Sequence, residues 1–236
     1  MAAPQLANFV TTDSSTTSTT HALNFPACSV GDLVLFHVSI SQAATITLTG
    51  TGPSGETVVM VAQARAVGLN DGSGGVFYFI AEGASGAGTV SVTIDTSSGM
   101  RCTTGRVLSG DFNQSAPIDA ASALNRASAT TAASLALTAG AADGRVINAL
   151  AQDTTSGGVT PPAGWTSQSG ISAAGSSVEV FRRDATTTAA ESVPAYTFTL
   201  SAARRTTTIT YIIAPFNAVG SAIVVISSGH HNRGLR

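Results

Sequence analysis

The sequence predicts an all-β protein: two tandem antiparallel β-sandwich modules, of jelly-roll or Ig-like type, followed by a C-terminal strand and arm. Three observations predict it. Runs of Thr, Val, Ile and aromatic residues alternate with small polar ones about every 8–12 residues between Gly, Asn and Asp loops, and no segment sustains a helical period. Apolar residues make up 43% of the chain and charged ones only 10%, so Ser, Thr, Gly and Ala must dress the surface, as in compact β proteins and unlike disordered chains. The chain can also be laid over itself, which suggests one module used twice.

In that overlay Leu23, Phe25, the Gly31-Asp32 turn and the apolar run from Leu33 meet Leu135, Leu137, the Asp143-Gly144 turn and the run from Arg145. Pro53-Ser54-Gly55-Glu56-Thr57 falls on Pro162-Ala163-Gly164-Trp165-Thr166, and Val90, Val92 and Ile94 fall on Tyr196, Phe198 and Leu200. Arg101 to Asn113 falls without a gap on Arg205 to Asn217. The modules are residues 1–113 and 114–217, with residues 218–236 as the tail; each module has about 105–110 residues, enough to bury a core without disulfides.

Alternation places strands of the first module at Asn8–Thr12, Thr19–Phe25, Leu33–Ile40, Thr45–Thr49, Thr57–Ala64, Val76–Ala81, Thr89–Asp95 and Arg101–Ser109. In the second, the clearest are Ser134–Thr138, Val146–Gln152, Ser177–Arg182, Tyr196–Ser201 and Thr206–Ala214. The Ala-rich stretch Ala116–Ala133 suits a short helix or turn. The joint, Asn113 to Pro117, is short, so the sandwiches are expected to lie in contact and move little. Past Asn217 an apolar strand, Ser221–Ser227, has no counterpart in the first module and is expected to add to a sheet edge, in its own chain or a neighbour's.

Composition narrows function. All eleven cations are Arg; without Lys, Schiff-base and P-loop chemistry are excluded, and a GC-rich genome is the plain cause. A net charge of −2 without a basic run argues against direct nucleic-acid binding. No apolar run reaches the roughly 18 residues of a membrane span, and Met1-Ala-Ala-Pro-Gln5 does not read as a secretion signal. Cys28 and Cys102 read as buried thiols, with a disulfide as the alternative.

Candidate chemistry is sparse. His37 lies on the face of Leu33 and Leu35 and reads as a structural histidine at a sheet surface or module interface. His230-His231 has the look of a metal pair, but neighbours on an extended tail point apart. The acids sit mostly at turns (Asp32, Asp143, Asp71 in Asn70-Asp71-Gly72, Glu82), where turn chemistry explains them. No carboxylate pair is indicated, and no catalytic residue, cofactor or metal is expected. Trp165 either caps its own core beside a Pro-Gly turn or stands exposed to stack on a sugar. Of Arg182-Arg183 and Arg204-Arg205, strand alternation lets at most half face one partner. Asn113-Gln114-Ser115 matches a glycosylation pattern to which no role is given.

The Gly31-Asp32-Leu33-Val34 turn into an apolar strand, Pro162-Ala163-Gly164-Trp165-Thr166, and the alternation Tyr196-Thr197-Phe198-Thr199 resemble β-sandwich modules of tailed-phage virion proteins, found in head decoration and head-fibre proteins and tail appendages. The likeness spans about residues 5–217; the first module departs from it, with Glu56 where the second has Trp165. It implies a non-enzymatic bacteriophage structural protein, made in the host cytoplasm and resident in the virion. Its expected partners are other capsid or tail proteins and copies of itself. The expected contact residues are Ile223, Val224, Val225 and Ile226, with Arg233 and Arg236 in the anchoring arm. The alternative is a carbohydrate-binding adhesin module in which Trp165, Tyr196 and Tyr211 stack on a glycan.

Overall fold

A computed structural model describes residues 3–42, 44–47, 52–64, 73–153, 158–173 and 175–216; among these it is all-β and antiparallel, without helices. One sheet holds β1 (Ala7–Phe25), β2 (Leu33–Ile40), β3 (Ile46–Thr47), β4 (Val59–Ala64), β5 (Ser73–Ile80) and β6 (Gly88–Val107). The second holds β7 (Ile118–Ala133), β9 (Arg145–Gln152), β10 (Val159–Thr160), β11 (Trp165–Ala173), β12 (Ser176–Arg183) and β14 (Thr197–Ile213). A short pair, β8 (Leu137–Thr138) with β13 (Ser192–Val193), stands apart.

Long strands that bend make each sheet into a sandwich. The C-terminal half of β6 pairs with β2 and with the start of β1, while its N-terminal half pairs with β3 and with the end of β1. The register slips between Ser14 and Thr20, a bulged corner of the kind that turns a strand out of its sheet. The two halves then face each other: Leu23, Phe25, Val90, Val92 and Ile94 pack on Val34, Phe36, Val38, Phe77 and Phe79. β7 and β14 bend alike, slipping between Thr199 and Thr206, and Phe198 and Leu200 pack on Val146, Leu150, Phe181 and Ile212. Sequence alternation therefore reads β1, β6 and β14 each as two strands, and the Ala-rich stretch read as a helix or turn is β7. Its small side chains suit a strand that folds tightly over its neighbour: the Thr208 hydroxyl donates to the Ala133 carbonyl at 2.6 Å with the Leu124 carbonyl 3.4 Å away.

A third core explains why β2 and β9 are buried at every position. Alternate residues of β2 enter the core of its own sandwich, and Leu33 and Leu35 join Val76 and Val107 against Ile147, Ala149, Val180, Ile209, Tyr211 and Ile213 of the second sheet. The sheets are stacked so that β1 lies against β11, β6 against β12, β2 against β9 and β12, β5 against β9 and β14, and β4 against β7 and β14. The sandwiches are in contact as the short joint implied, through a shared apolar face. At Gly74 the two sheets leave no room for a side chain: a Cβ there would stand 3.1 Å from Ala151 Cβ and Thr207 Cγ2.

The two sheets share one strand order, β1-β6-β2-β5-β4 with β3 on β6, and β7-β14-β9-β12-β11 with β10 on β14. Matching turns fix a residue correspondence. Gly31 (φ 83°) donates to Ala81 O, and Ala81 to Asp32 O; Asp143 (φ 63°) donates to Thr187 O, and Thr187 to Gly144 O. Leu33 thus corresponds to Arg145, and the ladder pairs Leu33 with Val107 and Arg145 with Ile213. The ungapped overlay sets Val107 on Tyr211, two residues away. An even slip keeps every side chain on its face, so the pattern fits both alignments.

Candidate functional site

At the outer corner of the second sandwich the turn Pro162 to Trp165 closes with Trp165 N–H donating to Pro162 O at 3.2 Å, with Gly164 at φ 78°. This starts β11 with the indole directed inward. Trp165 is 6% exposed and packs edge-on against Tyr196 and Phe198, with centroids 5.0 and 5.5 Å away. The exposed-loop version of Trp165 is thereby corrected to the core-capping one, although it still lines one side of a cleft of about 620 Å³ together with Tyr196, Arg183, Asp184 and Glu191. That volume is typical of small-molecule sites.

Arg183 lies opposite Trp165 on β12 and is the framework of the cleft. Its Nε donates to Ala185 O (3.1 Å); Nη1 donates to Glu191 Oε1 (2.6 Å) and the Tyr196 hydroxyl (3.5 Å); Nη2 donates to Thr186 O (2.8 Å) and Glu191 Oε2 (3.1 Å). This is a bidentate pair with nearly all of the Arg183 side chain out of water, the geometry in which such pairs are strongest. Glu191 holds the guanidinium above its usual pKa, and Arg183 holds the Glu191 carboxyl below its own. Glu191 also accepts from Thr188 N–H at 2.8 Å. Asp184, whose side chain is half exposed, accepts the Thr166 hydroxyl at 2.6 Å and lies 3.6 Å from Arg182. As alternation required, the pair divides: Arg183 serves the cleft, and Arg182 reaches back to Gln5 Oε1 at 2.8 Å.

The same corner of the first sandwich is built differently. Gly55 (φ 96°) repeats the turn, but Glu56 follows, buried, accepting from Ser54 N–H at 2.8 Å and Glu82 N–H at 2.9 Å. Burial opposes its ionisation, yet these amides and those of Glu56 itself and Gly83 hold its pKa below the usual range. A carboxylate knotting two loops occupies the place where the second module has an aromatic corner.

The remaining sequence candidates divide. Tyr211 cannot stack on a glycan: it has no exposed surface and sits in the core between the sandwiches, its hydroxyl 2.7 Å from His37 Nε2. His37 is the interface histidine anticipated. Its Nδ1 donates to Thr103 O at 3.0 Å, which leaves Nε2 to accept from Tyr211. Cys28 and Cys102 are free and buried. Asp32 accepts from Ser29 and Ser109 amides and pairs with Arg106 at 3.1 Å, a turn role. Ile223, Val224, Val225, Ile226, Arg233, Arg236, His230-His231 and the Asn70-Asp71-Gly72 loop lie outside the described residues. Among the described residues no group of three His, Cys, Asp or Glu is placed to hold a metal ion, and no helix is long and apolar enough to cross a membrane. Sequence reading missed Glu191 and Asp184, because what selects them is their meeting with Arg183 in space.

Compared with known proteins, the chain matches no family model, no curated protein and no solved structure.

Proposed function

We propose that the chain is a non-enzymatic structural protein of a bacteriophage virion, decorating the capsid or forming part of a head or tail appendage. The observation that supports this is the stacked pair of sandwiches with its long outer strands. β1 and β7, 19 and 16 residues long, each pair along one edge only among the described residues. Natural proteins protect such edges with Lys, Pro or inward charges. β1 is bulged between Ala7 and Val10 and between Ser14 and Thr20, but it carries neither Lys nor Pro and its Asp13 is engaged by Arg101 at 3.1 Å, so the Ser/Thr-rich edge between the bulges suits strand pairing with a neighbouring virion protein or a second copy. The Ser221–Ser227 segment and the arm after it are further proposed contacts. Quantitative mass spectrometry of purified particles is expected to find the chain at hundreds of copies for a decoration protein, or a few to a few dozen for an appendage. Absence from particles sinks the reading.

The cleft supports a second reading, carbohydrate recognition by an adhesin module, with Tyr196 as the accessible ring and Trp165 behind it. Trp165 is the only tryptophan, so its emission is expected to shift on titration with a bound glycan. A flat response across a broad glycan panel removes this reading and leaves the structural one intact.

A further inference from the structure

Resting on the carbohydrate reading, we infer that the cleft selects neutral, hydroxyl-rich sugars and rejects acidic ones, with Asp184 and Glu191 as the accepting groups and Arg183 as a strut that touches no ligand.

A guanidinium has five N–H donors in a fixed fork. Those of Arg183 are all committed, one from Nε, two from Nη1 and two from Nη2, and three of the five acceptors are the Glu191 oxygens and the Tyr196 hydroxyl that shape the cleft. An arginine that reads a sugar carboxylate needs two parallel donors free. Arg183 would have to abandon Glu191 to supply them, leaving a carboxylate unpaired beside the incoming anion. The arginine beside the cleft, which at first sight marks an anion site, is spent on holding the walls together.

The groups that remain point the other way. Ionised carboxylates only accept hydrogen bonds. Asp184 Oδ1 receives one hydroxyl, from Thr166, and Asp184 keeps accepting capacity on its half-exposed carboxylate. Glu191 is held ionised by Arg183. Asp184 has Arg182 at 3.6 Å and feels the Arg145 guanidinium as well, so what an acidic sugar lacks here is not a cation but a free pair of N–H donors on Arg183, the arginine that lines the cleft. A neutral pyranose offers adjacent O–H donors to such acceptors and an apolar face to an aromatic ring. The first module supplies the contrast, since there the Glu56 carboxylate is buried and held by the amides of Ser54 and Glu82.

The test is a titration of the full chain, read by Trp165 emission and by calorimetry. One panel contains neutral oligosaccharides of glucose, galactose, mannose and N-acetylglucosamine; the other contains oligosaccharides ending in sialic or uronic acid. Saturable binding is expected from one or more neutral sugars and none from acidic ones. Asp184→Asn, at a half-exposed position compatible with folding, is expected to weaken the neutral sugar at least tenfold. Acidic sugars binding as well as neutral ones, or unchanged affinity in Asp184→Asn, overturns the inference while leaving carbohydrate recognition standing. Binding of neither panel overturns both.

Discussion

Truncating Tyr211 to Ala is expected to lower the unfolding free energy by about 3–5 kcal/mol, the range for removing a large buried ring. It is also expected to loosen both sandwiches together. Tyr211 has no exposed surface, belongs to the core between the sheets and stacks on His37 of the other sandwich with centroids 6.0 Å apart. Tyr211→Phe keeps the ring and removes only the donor to His37 Nε2. Its expected cost is smaller, about 1–3 kcal/mol, the penalty for a buried acceptor left without a partner. The chain carries its own reporters for the joint response. Trp165 lies in the core of the second sandwich, and both cysteines, Cys28 and Cys102, lie in that of the first. Indole emission and thiol labelling followed through one urea titration are expected to share a midpoint in the wild type and to move together in both variants. Thiols that become reactive at a different midpoint from the indole would show that the shared core does not couple the sandwiches.

Much of this frame is legible in the sequence, for a reason visible in β2. Leu-Val-Leu-Phe-His-Val-Ser-Ile has one wholly apolar face and a second that runs Leu33, Leu35 before His37 and Ser39, with no charged residue on either, so the strand must be covered on both sides. The two partners that cover it are not legible: that Leu33 and Leu35 meet the second sandwich while Val34 and Phe36 meet their own depends on which way the sheets stack. The strand count fails at the bends, because Ser14 to Thr20 and Ser201 to Arg205 carry the composition of a loop while their backbones continue the ladder around a bulge. β7 fails for the opposite reason. Alanine favours helix, and in Ala-Ala-Ser-Ala-Leu-Asn that preference is overridden by β14, which supplies a continuous antiparallel partner from Ile212 to Thr206. The repeated strand order is what a duplicated module would produce, and duplication remains our proposal for the origin of the chain. Of the candidate site, Trp165 and Tyr196 are legible as aromatics and Arg183 as one half of a pair. The pairing of Arg183 with Glu191 crosses a turn at a spacing that no strand or helix period marks. Tyr211 misleads because on an alternating strand an interface residue and an exposed one carry the same pattern.

Acidifying the protein from about pH 6.5 to about 4.5 is expected to cost stability through His37 and to gain some back through Glu179. In the Glu179→Gln variant the loss should therefore be steeper. Burial lowers the His37 pKa to about 4 from its ordinary 6.5, with the Thr103 carbonyl opposing the shift. Above pH 6.5 the imidazole is neutral whether or not the chain is folded; below it the unfolded chain takes up a proton that the folded interface refuses. Stability is thus lost as pH falls, reaching about 3 kcal/mol once the folded pKa is passed. Glu179 has the reverse sign. Burial raises it to about 7 from 4.5, so its contribution is complete below 4.5 and disappears as pH rises through 7. His21, lowered mainly by burial, adds to the slope of His37, and Glu56 and Glu191, both held below their usual values, add their losses only under about pH 4.5. Urea midpoints measured across this range should show the wild type comparatively flat. Glu179→Gln should exceed it at about pH 8, match it at about pH 4, and fall more steeply between. An equal gain for Glu179→Gln at both ends would mean that the substitution acts through packing, and a flat variant would remove His37 from its place as the acid-sensitive contact between the sandwiches.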